Sequence, residues 1–113
     1  YYTPIVIAGE KTLAEQPDLT RRFLQATRRG YEYAIANPAE SAEILLKYTP
    51  ETDPELVRAS QEWLSPRYQD DAAAWGAQDA KVWEDFSRWL YENGLIDQPV
   101  DASQAFTNEY LPE

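Results

Sequence analysis

The sequence predicts a mainly α chain with one N-terminal strand, and three observations predict it. Helical segments open at Pro17, Pro38 and Pro54, where a first-turn proline gives up an N–H that has no intrahelical partner anyway. Between Asp79 and Ile96 the apolar side chains Val82, Phe86, Trp89 and Leu90 fall at steps of one face of a 3.6-residue helix, so this stretch is expected to bury a stripe and anchor the chain. The one segment of β character is Pro4-Ile-Val-Ile-Ala8, which Tyr1, Tyr2 and Thr3 can extend to the first residue.

Taken in order, the strand stops near Gly9 and a short helix runs from about Lys11 to Gln16, closed by Pro17, which disfavours helical geometry before it. Leu19, Phe23, Ala26, Gly30 and Ala34 give the next helix, to about Ala36, an apolar face; its glycine costs roughly 1 kcal/mol relative to alanine and so predicts close approach of another element. Arg21, Arg22, Arg28 and Arg29 form a basic stripe that reads as a solvated, ion-paired face rather than an anion site. Asn37-Pro38-Ala39-Glu40 reads as N-cap, N1 and capping-box glutamate of a helix to about Tyr48 that buries Ala42, Leu45 and Leu46. After a turn at Thr49 to Thr52, Asp53-Pro54 repeats the device, and Leu56, Val57, Ser60, Trp63 and Leu64 line a helix that Ser65-Pro66 stops. Loops this short make neighbouring helices roughly antiparallel.

Periodicity breaks at Arg67 to Gly76. Asp70 and Asp71 lack the opposed second group of an acid/base pair and the alternating oxygens of a calcium loop, so capping or solvation is their expected role. Trp75 reads as a wedge between helices or as a cover over a ligand. Asp79 is the expected N-cap of the anchor helix, and Asn93-Gly94 its end, with Leu95 and Ile96 folding back on the last turn. Residues 97–113 read as a tail with one helical turn near Ser103.

Composition narrows the function. A chain of 113 residues is one domain at most. It has no cysteine and no histidine, which removes disulfides, thiolate sites and every Ser-His or Cys-His nucleophile, so no catalytic residue, metal or cofactor is expected. A net charge of −10 disfavours nucleic acid and anionic membranes as partners. The chain also has no methionine, and the lone strand leaves its backbone groups unsatisfied; both point to the C-terminal part of something longer. A signal peptide would then lie upstream, and its absence carries no information.

The run YYTPIVIAGEKTLAEQPDLTRRFLQATRRGYEYAIANPAESAEILLKY, and further on SPRYQDDAAAWGAQDAKVWEDFSRWLYENGLI, together resemble the C-terminal region of solute-binding proteins of ABC importers. The likeness is to the branch of thiamine pyrimidine precursor binders, beside those for sulfonates and nitrate. It rests on order and spacing: strand, proline-started helices, WG loop, WLYENGLI helix. The resemblance implies part of an α/β two-lobed fold of the type II periplasmic-binding kind, with residues 1–9 as hinge or sheet strand, 10–96 packing on the first lobe and 97–113 as tail. It also implies a small-molecule ligand in an interlobe cleft, a membrane permease and the upstream part of the same protein as partners, an extracytoplasmic location, and binding with lobe closure in place of catalysis.

Under that resemblance Tyr1 and Tyr2 are candidate ligand-binding residues, since they sit at the implied lobe crossing and their rings suit stacking on a flat heteroaromatic. Filling the hinge is the equal alternative. Trp75 is the third candidate. A different class of function, a self-contained helical module holding a partner peptide on its aromatic surface, is the rival.

Overall fold

In a computed structural model describing residues 1–112, six α-helices follow one another: α1 Glu10–Glu15, α2 Pro17–Ala36, α3 Pro38–Tyr48, α4 Pro54–Leu64, α5 Ala80–Glu92 and α6 Ala102–Ala105, with a 3₁₀ turn at Ser65–Arg67. The expected N-terminal strand is not there: none of the described residues is in a strand. A strand needs a neighbour to take up its donors and acceptors, and the described chain, being helical, has none to offer. Residues 5–8 therefore remain irregular, with Ile7 83% exposed, and the helical hydrogen bonding starts at Gly9, whose carbonyl accepts from the Leu13 N–H at 3.1 Å.

The chain divides into two units, Tyr1–Arg22 with Ala77–Glu113, and Phe23–Gly76. In the second, α3 and α4 pack as a hairpin, with Ala42 of α3 fully buried and Val57 of α4 buried as well. Asp53 caps α4, its carboxylate accepting from the Glu55 and Leu56 N–H groups at 2.8 and 3.3 Å. Arg58 Nε donates to Glu43 Oε1 across the pair at 2.6 Å, and this contact holds the Glu43 carboxyl below its ordinary value. At the end of α4 the Ser65 hydroxyl, 1% exposed, lies 2.7 Å from the Gln61 carbonyl and 3.0 Å from the Ala34 carbonyl, and accepts from Gln61 Nε2 at 2.9 Å. It thereby ties α4 to the end of α2.

Several local expectations are corrected. Among the described residues a Cβ built on Gly30 would meet nothing within 4 Å, so the glycine serves no close approach by any of them. The half-buried face of α2 runs instead through Leu24, Thr27, Tyr31 and Ala34, and leaves Phe23 exposed. Asn37 makes no side-chain cap of α3; its amide donates to the Tyr33 carbonyl at 3.0 Å and closes α2. Glu40 completes no capping box but takes the Tyr33 hydroxyl, which raises the Tyr33 pKa. Asp70 and Asp71 are both exposed, as solvation requires; Asp70 has φ 52°, a left-handed conformation aspartate tolerates.

In the first unit α5 begins and ends where expected. Asp79 accepts from the Lys81 N–H at 2.8 Å. Gly94, at φ 68°, sends its N–H to the Tyr91 carbonyl while the Leu95 N–H reaches the Leu90 carbonyl, which is the Schellman pattern. The stripe is only partly covered: Val82, Phe86 and Leu90 are half-buried, but Trp89 is 52% exposed. The most buried position of α5 is Ser87, whose hydroxyl accepts from the Val100 N–H and so docks the tail together with the buried Ala102 of α6.

Two outcomes follow. Ser65→Ala removes the hydroxyl from a sealed site and strands the Gln61 amide, so it lowers stability by about 1 to 3 kcal/mol, read as a reduced urea midpoint at unchanged slope. A carboxyl whose folded pKa is lowered stabilises the fold above the ordinary glutamate value of about 4.3 and loses that contribution as pH falls through the lowered one. Urea midpoints of the wild type should therefore drop more steeply below that pH than those of Glu43→Gln, and parallel curves would refute the ion pair's role.

Candidate functional site

Aromatic side chains concentrate where residues 1–5 cross α5. The spacing of Val82, Trp83 and Phe86 sets them on one side of α5, since steps of three and four lie over one another on a helix. Opposite them stand Tyr1, Tyr2 and Ile5, and the six side chains line a half-open pocket of about 170 Å³. Tyr1 stacks on Phe86 with ring centroids 4.9 Å apart and planes 23° from parallel; Tyr2 tilts against Trp83 at 6.5 Å.

Each pair is held from behind. Trp83 lies parallel to Phe106 at 5.9 Å, 4° between planes, and its indole N–H donates to Gln78 Oε1 at 2.7 Å. Phe86 is backed by Trp89 at 6.2 Å. The Tyr2 hydroxyl accepts from the Asp79 N–H at 2.8 Å, which satisfies one of the donors that the start of α5 leaves open. Gln78 is itself pinned by Asn108, whose amide accepts from the Gln78 N–H at 3.1 Å and donates to its carbonyl at 2.9 Å. The polar atoms of Tyr2 and Trp83 are thus engaged at the start of α5, and what the cavity offers an occupant is ring face and aliphatic surface. Such a lining suits stacking and apolar burial.

Of the three sequence candidates, Tyr1 and Tyr2 share this cavity. Trp75 belongs to the other unit, where it is 8% exposed and lies 5.0 Å from the Tyr31 ring, which in turn meets Tyr68 edge-on at 4.9 Å. The sequence alone places Val82 and Phe86 in the buried stripe and Ile5 in the strand, and gives Trp83 no role. The signal for the wall is Trp83, three residues before Phe86 and next to the stripe that the apolar period picks out. Among the described residues no three His, Cys, Asp or Glu side chains gather as a metal site, and no helix is long and apolar enough to cross a membrane.

Comparison with known proteins agrees with the resemblance drawn from the sequence. Residues 1–41 match the family described as NMT1/THI5 like. The chain is 33% identical to the riboflavin-binding protein RibY of Chloroflexus aurantiacus, over 95% of the chain and 32% of that protein. It is 29% identical to a formylaminopyrimidine-binding protein of Halalkalibacterium halodurans, over 92% of the chain and 33% of the relative. A 4-amino-5-hydroxymethyl-2-methylpyrimidine phosphate synthase of Legionella pneumophila is 30% identical, over 95% and 32%. The chain spans about a third of the length of these relatives.

Replacing Tyr2 by phenylalanine keeps the ring and deletes the acceptor for the Asp79 N–H. Because that bond is open to water, the expected cost is at the low end of about 0.5 to 1.5 kcal/mol, measured by denaturant unfolding followed through tryptophan fluorescence.

Proposed function

We propose, on the premise that the chain is kin to the NMT1/THI5-like branch of solute-binding proteins, that it is part of the receptor component of an ABC importer. Its ligand is a small flat heteroaromatic molecule, a thiamine pyrimidine precursor or a compound like it, held in a cleft between two lobes outside the cytoplasm. Closing of the lobes on the ligand, driven by its higher affinity for the closed state, presents the loaded form to a membrane permease; no bond is made or broken.

The observation that carries this reading is the ring-lined cavity at Tyr1 and Tyr2, which has stacking surface and no catalytic group. Tyr1 stacks by one face on Phe86 and is otherwise 77% exposed, so the rest of its ring is open to a ligand. Trp75, with little exposed surface, has the lesser part. A receptor is favoured over an enzyme because the chain holds neither histidine nor cysteine, and two of the relatives described above are named as binding proteins. The synthase name of the third keeps an enzyme as a reading to be tested.

Calorimetry on the full-length protein tests the proposal, with formylaminopyrimidine, riboflavin, a sulfonate and nitrate as probes. Heat is expected with a flat ring compound and none with nitrate or the sulfonate. Tyr1→Ala, losing one stacking face worth about 0.5 to 1.5 kcal/mol, should weaken binding roughly 2- to 12-fold. Silence with every probe from a folded sample would overturn the receptor and favour a helical interaction module, and turnover of a bound probe would favour the enzyme.

A further inference from the structure

We infer that the open side of α2, with Gly30 at its centre, is the surface on which the upstream part of the same protein packs. The inference rests on the reading of this chain as one part of a longer receptor, and adds to it the face and the residues that make the joint.

Phe23, Ala26 and Gly30 stand three and four residues apart, so they share one side of α2. All three are exposed, Phe23 by 56%. Beside them Thr27, Gly30, Tyr31 and Ala34 occupy the positions i, i+3, i+4 and i+7. These are the four corners of the hole that receives one side chain when helices interlock, and with Tyr68 they line an open pocket. Its walls are set in advance. Tyr31 is held between the buried Trp75 and the Tyr68 ring. The Tyr68 hydroxyl lies 3.5 Å from Gln61 Oε1, and the Ala34 carbonyl lies 3.0 Å from the Ser65 hydroxyl.

Glycine inside a helix costs stability relative to alanine, yet a Cβ added at Gly30 would touch none of the described residues. Close approach by polypeptide from outside this chain is what makes use of the missing side chain. The relatives point to where that polypeptide comes from: the chain spans about a third of their length, so about two thirds of a protein of their size lies outside it. A second copy fits less well. Two-fold pairing sets a patch against itself, and pairing about Gly30 would bring the adjacent Arg29 near its own counterpart.

The test is urea unfolding of the full-length protein, wild type against Gly30→Ala, Gly30→Leu and Phe23→Ala, with sedimentation velocity on each. On a bare helix face Gly30→Ala raises the midpoint, through the better helix propensity of alanine, and Phe23→Ala leaves it in place. On a packed face Gly30→Leu should lower the midpoint by roughly 0.5 M urea or more, Phe23→Ala should lower it as well, and Gly30→Ala should fail to raise it. If the leucine variant does not fold, the other two carry the same comparison. A midpoint raised by Gly30→Ala overturns the packing whatever Phe23→Ala does. A wild-type dimer that Gly30→Leu splits into monomers gives the face to a second copy and overturns the upstream occupant. Ligand binding is read separately by calorimetry. A protein that binds a ring compound while Gly30→Ala stabilises it keeps the receptor and loses this interface; one whose variants behave as expected without binding any ring keeps the interface and loses the receptor.

Discussion

The fixed position of α5 is the constraint on which the first unit depends. Its start is set by Asp79, whose side chain accepts from Lys81 while its own N–H is taken by Tyr2. Its end is set by Gly94 in the left-handed conformation, with Leu95 turning back to Leu90. Between those ends Trp83 receives Phe106, and Ser87 receives the backbone of Val100. The N-terminal segment and the tail, neither with much regular structure of its own, are both ordered by docking on this helix. A helix defined at both termini cannot slide or fray by a turn, so side chains three and four residues apart keep a constant spacing. Constant spacing is what a cavity wall made from Val82, Trp83 and Phe86 requires.

The second unit is organised differently. There the short side chain of Ala42 and the sealed hydroxyl of Ser65 bring backbone close to backbone, and the aromatic trio Tyr31, Tyr68 and Trp75 fills the space beside them. The exposed Ile44, Leu45, Tyr48, Leu56 and Trp63 show how much apolar surface the α3–α4 hairpin leaves uncovered.

Helix ends were the most legible part of the sequence, because they are decided by one or two residues acting locally. Pro17, Pro38, Pro54, Asp53, Asp79 and Gly94 each do in the structure what their chemistry predicts. Where a prediction needed a partner remote in sequence, it failed. Ile5 to Ala8 have strand propensity but nothing to pair with, and Gly30 faces open space although its place on an apolar face implied a neighbour. Asn37 and Glu40 had two outlets each, and Tyr33 on the preceding helix drew both away from the capping box. The site was half legible: Tyr1 and Tyr2 meet in one pocket, but of its α5 wall Val82 and Phe86 read as members of the buried stripe and only Trp83 lies outside that period.

The open triplet Ile5-Val6-Ile7 has one more consequence, for how the polypeptide behaves in concentrated solution. Bare β-branched residues are the usual seeds of cross-β aggregation, which needs an uninterrupted run of roughly six or seven. Here Pro4 closes the run on one side and Gly9-Glu10 on the other, a proline and a charge of the kind that act as gatekeepers. The run is cut off below the length that cross-β stacking needs.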